Sequence, residues 1–138
     1  NESEFVSLLK RRPAGGGGFS ESDFADMAAG ELHRLCRSLN VATVILTLGA
    51  SGAFLSNEDG FRHFDALGGL NVVDTTGAGD AFVGGFAAGW IRFGKDIARA
   101  VEFGVLVSGL SVTKMGTAPA MPGLDAVRAA ADARGWSV

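Results

Sequence analysis

The sequence predicts an α/β fold with a mainly parallel central sheet, and three observations predict it. The run from Val41 to Leu48 is β-branched and apolar on both faces, as a strand covered above and below should be. Segments of 3.6-residue periodicity alternate with such runs along the chain. A second apolar run, Leu70 to Val73, stops at Asp74, turns through Thr75-Thr76-Gly77-Ala78-Gly79 and enters a helical pattern at Asp80. Strand, tight turn, helix is the junction at which open α/β sheets gather their ligands.

Each element follows from local signals. Asn1 is placed to cap a helix through Phe5, Val6, Leu8 and Leu9, with Glu4 three positions on as its capping-box partner. Arg11 to Gly18, with four consecutive glycines, reads as a solvated loop. Ser20 and Asp23 open a second helix, on which Phe24, Met27, Ala28, Leu32, Leu35, Cys36 and Leu39 share one face. The strand Val41–Leu48 ends in Gly49-Ala50-Ser51-Gly52, followed by a short apolar run, Ala53 to Leu55. Asn57-Glu58-Asp59-Gly60 is a hairpin turn. Phe61 to Leu67 is its return strand, with Arg62 and His63 outward. The helix after Asp80 is apolar nearly all round and so is expected to be buried, with glycines that permit close backbone approach. Lys95-Asp96 begins another helix, to about Leu110, packing through Ile97, Ala100, Val101, Gly104, Val105 and Ser108. Leu124 to Arg134 is a terminal helix.

Composition narrows the function classes. The 138 residues suit one modest domain, with a net charge of −3 and no basic stripe interleaved with aromatics. Nucleic acid is therefore excluded as an expected partner. Apolar runs are interrupted well before membrane-spanning length, and a cytoplasmic address fits. The single cysteine, Cys36, allows neither an intrachain disulfide nor a cysteine-based zinc cluster and reads as buried filler. Glycine, at 21 residues, is about twice its usual share. His33 and His63 carry no chemistry at this spacing.

The chemistry lies in the turn. Gly77 and Gly79 leave backbone N–H groups unscreened, so those donors can converge on an anion at the positive end of a helix dipole. Beside that cradle stands the carboxylate of Asp80. An acid next to an anion site makes sense when it takes a proton from a group about to attack that anion, which is the arrangement of phosphoryl transfer. A strand-to-helix turn that uses glycine for its conformation and Asp80 as a cap is the plainer reading. A dinucleotide-binding turn is disfavoured because Phe82 stands where a third glycine would be required.

Asp74-Thr-Thr-Gly-Ala-Gly-Asp-Ala-Phe82 resembles, nearly letter for letter, the C-terminal signature of the ribokinase-like (PfkB) carbohydrate kinases. The resemblance implies a three-layer α/β/α fold. It makes Gly77, Ala78 and Gly79 the anion hole, with the N–H of Asp80 joining it, and Asp80 the catalytic base. Asn1-x-x-Glu4 is similar to the family's Asn-x-x-Glu motif, implying that Asn1 lies near the nucleotide and that Glu4 organises Mg²⁺ through water. Thr47-Leu-Gly-x-x-Gly52 resembles its nucleotide loop, implying Thr47, Gly49, Ser51 and Gly52 as ATP contacts. Val105 falls where members place a residue beside adenine, often Asn or His. Val112-Thr-x-x-Gly116 resembles an element that, with Asp74 and Thr76, holds K⁺ in ribokinase-type members. The matching positions are Ser111, Lys114, Gly116 and Ala120, and Asp74 could equally be a carboxylate bonding its own turn.

Members are about twice this length. The resemblance thus implies that residues 1–138 are the C-terminal nucleotide-binding and catalytic half of an ATP-dependent sugar kinase, inactive alone. The sugar-binding and lid half is absent, and an exposed sheet edge is open to self-association as a homodimer. The pattern is nearest to ribokinases, implying D-ribose and ribose 5-phosphate, and fructokinases or other PfkB sugar or nucleoside kinases share nearly all of it. A non-catalytic nucleotide- or sugar-sensing protein is the alternative of another class.

Overall fold

The structure, a computed structural model, describes residues 1–11, 18–24 and 26–136. Residues 12–17 of the expected glycine loop lie outside them. The chain divides into two compact units, residues 1–64 and 65–138, each with its own packing.

In the first unit, α1 (Glu2–Lys10) begins with the capping box expected of Asn1 and Glu4. The second helix, α2, is shorter than its periodicity predicts, spanning Ala29–Arg37. Ser20 and Asp23 cap only a single 3₁₀ turn, Glu21–Asp23, and the extended backbone of Ala28 restarts the chain before α2. Phe24 reaches the core all the same, edge-on to Phe5 at 5.1 Å between ring centroids. There the rings join Leu9, Leu32, Cys36, Leu46 and Phe54. Burial pushes the Cys36 thiol up to about 11, so it is inert filler.

Three antiparallel strands complete this unit: β1 (Val44–Thr47), β2 (Ala53–Asn57) and β3 (Gly60–Phe64), in that order across the sheet. The register pairs Thr47 with Ala53 and Asn57 with Gly60, so two short turns set it. The parallel pairing expected of Val41–Leu48 is not formed among the described residues. β1 is shorter than expected, and among the described residues its one neighbour is β2 and no strand lies on its other edge. Arg62 and His63 face outward, as their place in a hairpin predicts. His33 is half-buried, its Nδ1 2.8 Å from the Oγ of the fully buried Ser56, so the bond accounts for a hydroxyl in the core.

The second unit is helical: α3 (Ala78–Arg92), α4 (Ile97–Ser111) and α5 (Leu124–Ala133). Its core joins Phe103 and Leu106 of α4 to Val127 and Ala131 of α5. α3 meets α4 through glycines. A Cβ added at Gly85 would stand 2.8 Å from Val107 Cβ and 3.1 Å from Gly104 Cα, and one at Gly89 would be 3.0 Å from Ala100 Cα.

Two expectations fail here. Leu70–Val73 is not a strand, because no ladder partner lies beside it among the described residues. The N–H groups of Val73 and Asp74 both donate instead to the Val112 carbonyl, at 2.8 and 3.2 Å. Nor is α3 buried all round. Val83 is 65% and Ile91 81% exposed, on a face that nothing in this unit covers. An all-apolar helix reports how much burial its full setting provides, and one unit supplies only part of it.

Candidate active site

The Asp74–Asp80 turn is built within the second unit. Asp74 Oδ1 accepts from the Thr76 N–H at 2.9 Å, closing a small turn on itself. Its Oδ2 accepts from the Gly116 N–H, also at 2.9 Å and 42 residues away, so one carboxylate ties the turn to the loop after α4. These hydrogen bonds, from the Thr76 hydroxyl first and then the Gly116 and Thr76 amides, hold the Asp74 carboxyl below the usual carboxylate range.

Gly77, the residue before α3, has φ +78°, and a Cβ there would stand 2.9 Å from Thr117 Cγ2. Conformation and space both demand glycine. Gly79 is different. It is the second residue of α3, its φ is not positive, and a Cβ there would meet nothing within 4 Å. A glycine within a helix costs roughly 1 kcal/mol against alanine, and nothing within the described fold accounts for this one.

Of the amides expected to form the anion hole, that of Ala78 donates to the Thr75 carbonyl at 3.2 Å. The amides of Gly79 and Asp80, at the second and third positions of α3, form no hydrogen bond among the described residues. Asp80 is exposed in that first turn. Thus an acid and two unengaged donors share one accessible helix end.

The other residues expected around this turn lie in the same unit. Ser111 is buried and its hydroxyl donates to the Ser108 carbonyl at 2.8 Å, Lys114 is exposed, and Ala120 is buried. The oxygens of Asp74, Thr76 and the loop carbonyls are a donor set suited to a hard cation, although Ala120 contributes no side-chain oxygen. Val105 is buried in α4, where it offers only apolar packing.

The first unit holds the remaining candidates. Glu4 is exposed, with Oε2 2.6 Å from the Asn1 backbone nitrogen, the return bond of the capping box. The Asn1 side chain accepts from the Glu4 N–H at 3.0 Å. Beyond β1, Gly49–Ser51 form a 3₁₀ turn closed by a bond from the Leu48 N–H to the Gly52 carbonyl at 2.8 Å. Gly49 and Gly52 have φ +51° and +92°. This is the hairpin turn that local sequence allows, and it carries Thr47 and Ser51 at half-buried positions. The turn lies near the start of α1, since Glu2 Oε1 is 4.0 Å from a Cβ built at Gly49. Among the described residues no three His, Cys, Asp or Glu side chains group as a metal site. The exposed carboxylate of Glu4 is chemically the kind of ligand Mg²⁺ takes through water, since this ion usually keeps several waters beside its protein and phosphate ligands.

Residues 3–123 match the description of the pfkB family of carbohydrate kinases. The chain belongs to that family. A ribokinase of Staphylococcus aureus is 34% identical over 90 residues, 65% of this chain and 29% of the relative. Among solved structures, the ribokinase of Thermotoga maritima superposes with a TM-score of 0.74 at 31% identity, over 96% of this chain and 40% of that one. An aminoimidazole riboside kinase of Salmonella enterica, complexed with aminoimidazole riboside and an ATP analog, gives 0.67 at 32%, over 91% and 39%. The ribokinase-like α/β fold expected from the signature is thus the fold of its neighbours, and the chain spans well under half the length of these pfkB relatives.

Two residues that shape the turn have no sequence signal of their own. Thr117 closes over Gly77, and Ser108, which periodicity reads only as packing, donates its hydroxyl to the Ala78 carbonyl at 3.0 Å. Neither contact is encoded by local spacing.

Proposed function

We propose that this chain is the C-terminal, nucleotide-binding and catalytic part of a longer kinase that transfers the γ-phosphoryl group of ATP to a sugar hydroxyl. The observation that carries the reading is Gly79. It is a helical glycine that neither conformation nor packing explains, and its own N–H and that of the neighbouring Asp80 are unengaged beside an accessible acid. A γ-phosphoryl group approaching that helix end would use the space that a side chain there would fill.

In this reading the Asp80 carboxylate takes the proton of the acceptor hydroxyl as its oxygen bonds to the γ-phosphorus and the bond to ADP breaks. The Gly79 and Asp80 N–H groups hold the equatorial oxygens as charge develops there. Asn1, Thr47, Gly49, Ser51 and Gly52 are the proposed nucleotide contacts. Glu4 would hold Mg²⁺ through water, which when bound supplies charge that neutralises the β and γ phosphates. Asp74, Thr76 and the loop carbonyls of Ser111, Lys114 and Gly116 are the proposed place of K⁺, with Asp74 also serving as the tie that fixes the turn.

D-ribose is the proposed acceptor, supported by the ribokinase likenesses. The likeness to an aminoimidazole riboside kinase favours a nucleoside as the second reading. Phosphorylation assays of the full-length protein on ribose, fructose and a riboside decide between them. Asp80→Asn in that protein is expected to lower kcat by about 10²–10⁴ with little change in ATP affinity. Near-normal turnover would remove Asp80 from its role, and ATP retention without transfer to any acceptor would favour a sensing protein.

A further inference from the structure

Three hydroxyl groups lie in or just beyond the last turn of α4, and they make different choices. Ser111 and Thr113 donate to Ser108 and Leu110, carbonyls three residues back, at 2.8 and 2.7 Å. That short-range bond is the usual recourse of a hydroxyl at a helix end. Ser108 instead reaches out of its own helix to Ala78, 30 residues away and the first residue of α3. Asp80 follows two positions later.

The seam between the helices shows why such a bond matters. Gly85 and Gly89 lie against Gly104, Val107, Ala100 and Phe103 with no room for another methyl group. That contact brings the helix backbones close, yet dispersion between smooth surfaces is weakly directional. A hydrogen bond is directional and acts at one atom. Ser108 is one turn on from Gly104 along α4, so its hydroxyl meets α3 where the seam runs out toward the turn. The Ala78 carbonyl is also in place to accept the helical bond four residues on, so satisfying that oxygen does not require the serine.

We propose that Ser108 is a positioning residue. Its hydroxyl fixes the rotation of the first turn of α3 and so the direction in which the Asp80 carboxylate and the Gly79 and Asp80 amides present themselves. The inference rests on the proposed role of that turn in phosphoryl transfer. Misdirection by a fraction of an ångström costs rate more than affinity, because the nucleotide has contacts elsewhere while the reacting atoms do not.

The test uses the full-length kinase with Ser108→Ala and Ser108→Thr, read by steady-state kinetics and amide hydrogen exchange. The alanine variant is expected to lower kcat about tenfold, in keeping with one lost hydrogen bond, while KM for ATP and sugar moves less than about twofold. The Ala81 and Phe82 amides should exchange about tenfold faster, with Leu106 and Val107 in α4 unchanged. Threonine keeps the hydroxyl and should restore both readouts. Unchanged exchange at Ala81 and Phe82 in the alanine variant would overturn the clamp, and faster exchange with unchanged kcat would overturn its effect on transfer. Faster exchange along all of α4 in both variants would mark general loss of packing and also overturn it. If the unsubstituted protein transfers no phosphoryl group, the kinase reading falls while the exchange data still decide whether Ser108 holds the turn.

Discussion

The Gly49–Gly52 turn of the first unit and the Gly77–Asp80 turn of the second are both glycine corners in which a resemblance places phosphate. In the first, both glycines are required by the backbone, at φ +51° and +92°. In the second, only Gly77 is, at φ +78° and pressed by Thr117, while Gly79 has ordinary helical geometry and open space. A glycine the backbone needs says little about a ligand. One that the backbone does not need, in a helix it weakens, points outside the described chain.

Alanine substitution separates the two kinds. Gly77→Ala is expected to have the largest effect on stability, about 3 kcal/mol, from left-handed strain together with a methyl forced against Thr117. A loss below ~1 kcal/mol by denaturant unfolding would show that the turn relaxes easily. Gly79→Ala should leave stability equal or up to ~1 kcal/mol higher, while weakening ATP binding or turnover of the full-length kinase about tenfold or more. Calorimetric titration with ATP checks this, and unaltered affinity and rate would place both turns in the same class. Gly52→Ala, strained by a backbone at φ +92°, should cost about 1–2 kcal/mol.

The smallest expected effect concerns what holds the second turn. The Asp74 carboxyl is depressed by its hydrogen bonds, so its contribution is present above the unfolded value of about 3.9 and is lost as pH falls through the lower folded value. The Gly116 amide resonance should therefore keep its hydrogen-bonded shift above about pH 4 and move only below it. A midpoint above pH 4 would mean the Asp74–Gly116 tie is not formed in solution.

What could be read from sequence divides along the same physical line. Asn1 and Glu4 declare their cap because both partners sit within one turn, and α4, α5 and the β2–β3 hairpin follow from local periodicity and turn residues. The α1–α2 region misled because Phe24, Met27 and Leu32 keep helical spacing across a break set by Ala28. Leu70–Val73 misled because a strand is defined by its partner, and Val112 took the hydrogen bonds a ladder would have made. In the candidate site, the signature from Asp74 to Phe82 named the turn and the resemblance joined it to Gly116. The grip of Ser108 and Thr117 on it was beyond reach, being a matter of which helix face meets which atom across a long stretch of chain.

The glycine seam between α3 and α4 has a consequence at a distance. Where two rods touch with no side chain between them, a single added methyl acts as a shim. Placed at Gly85, it would face Val107 and the Gly104 backbone at under 3.2 Å, and the two rods must part or tilt about that point. Asp80 rides on the end of one rod, so a change well inside the helix pair would be felt as a displaced acid at its tip.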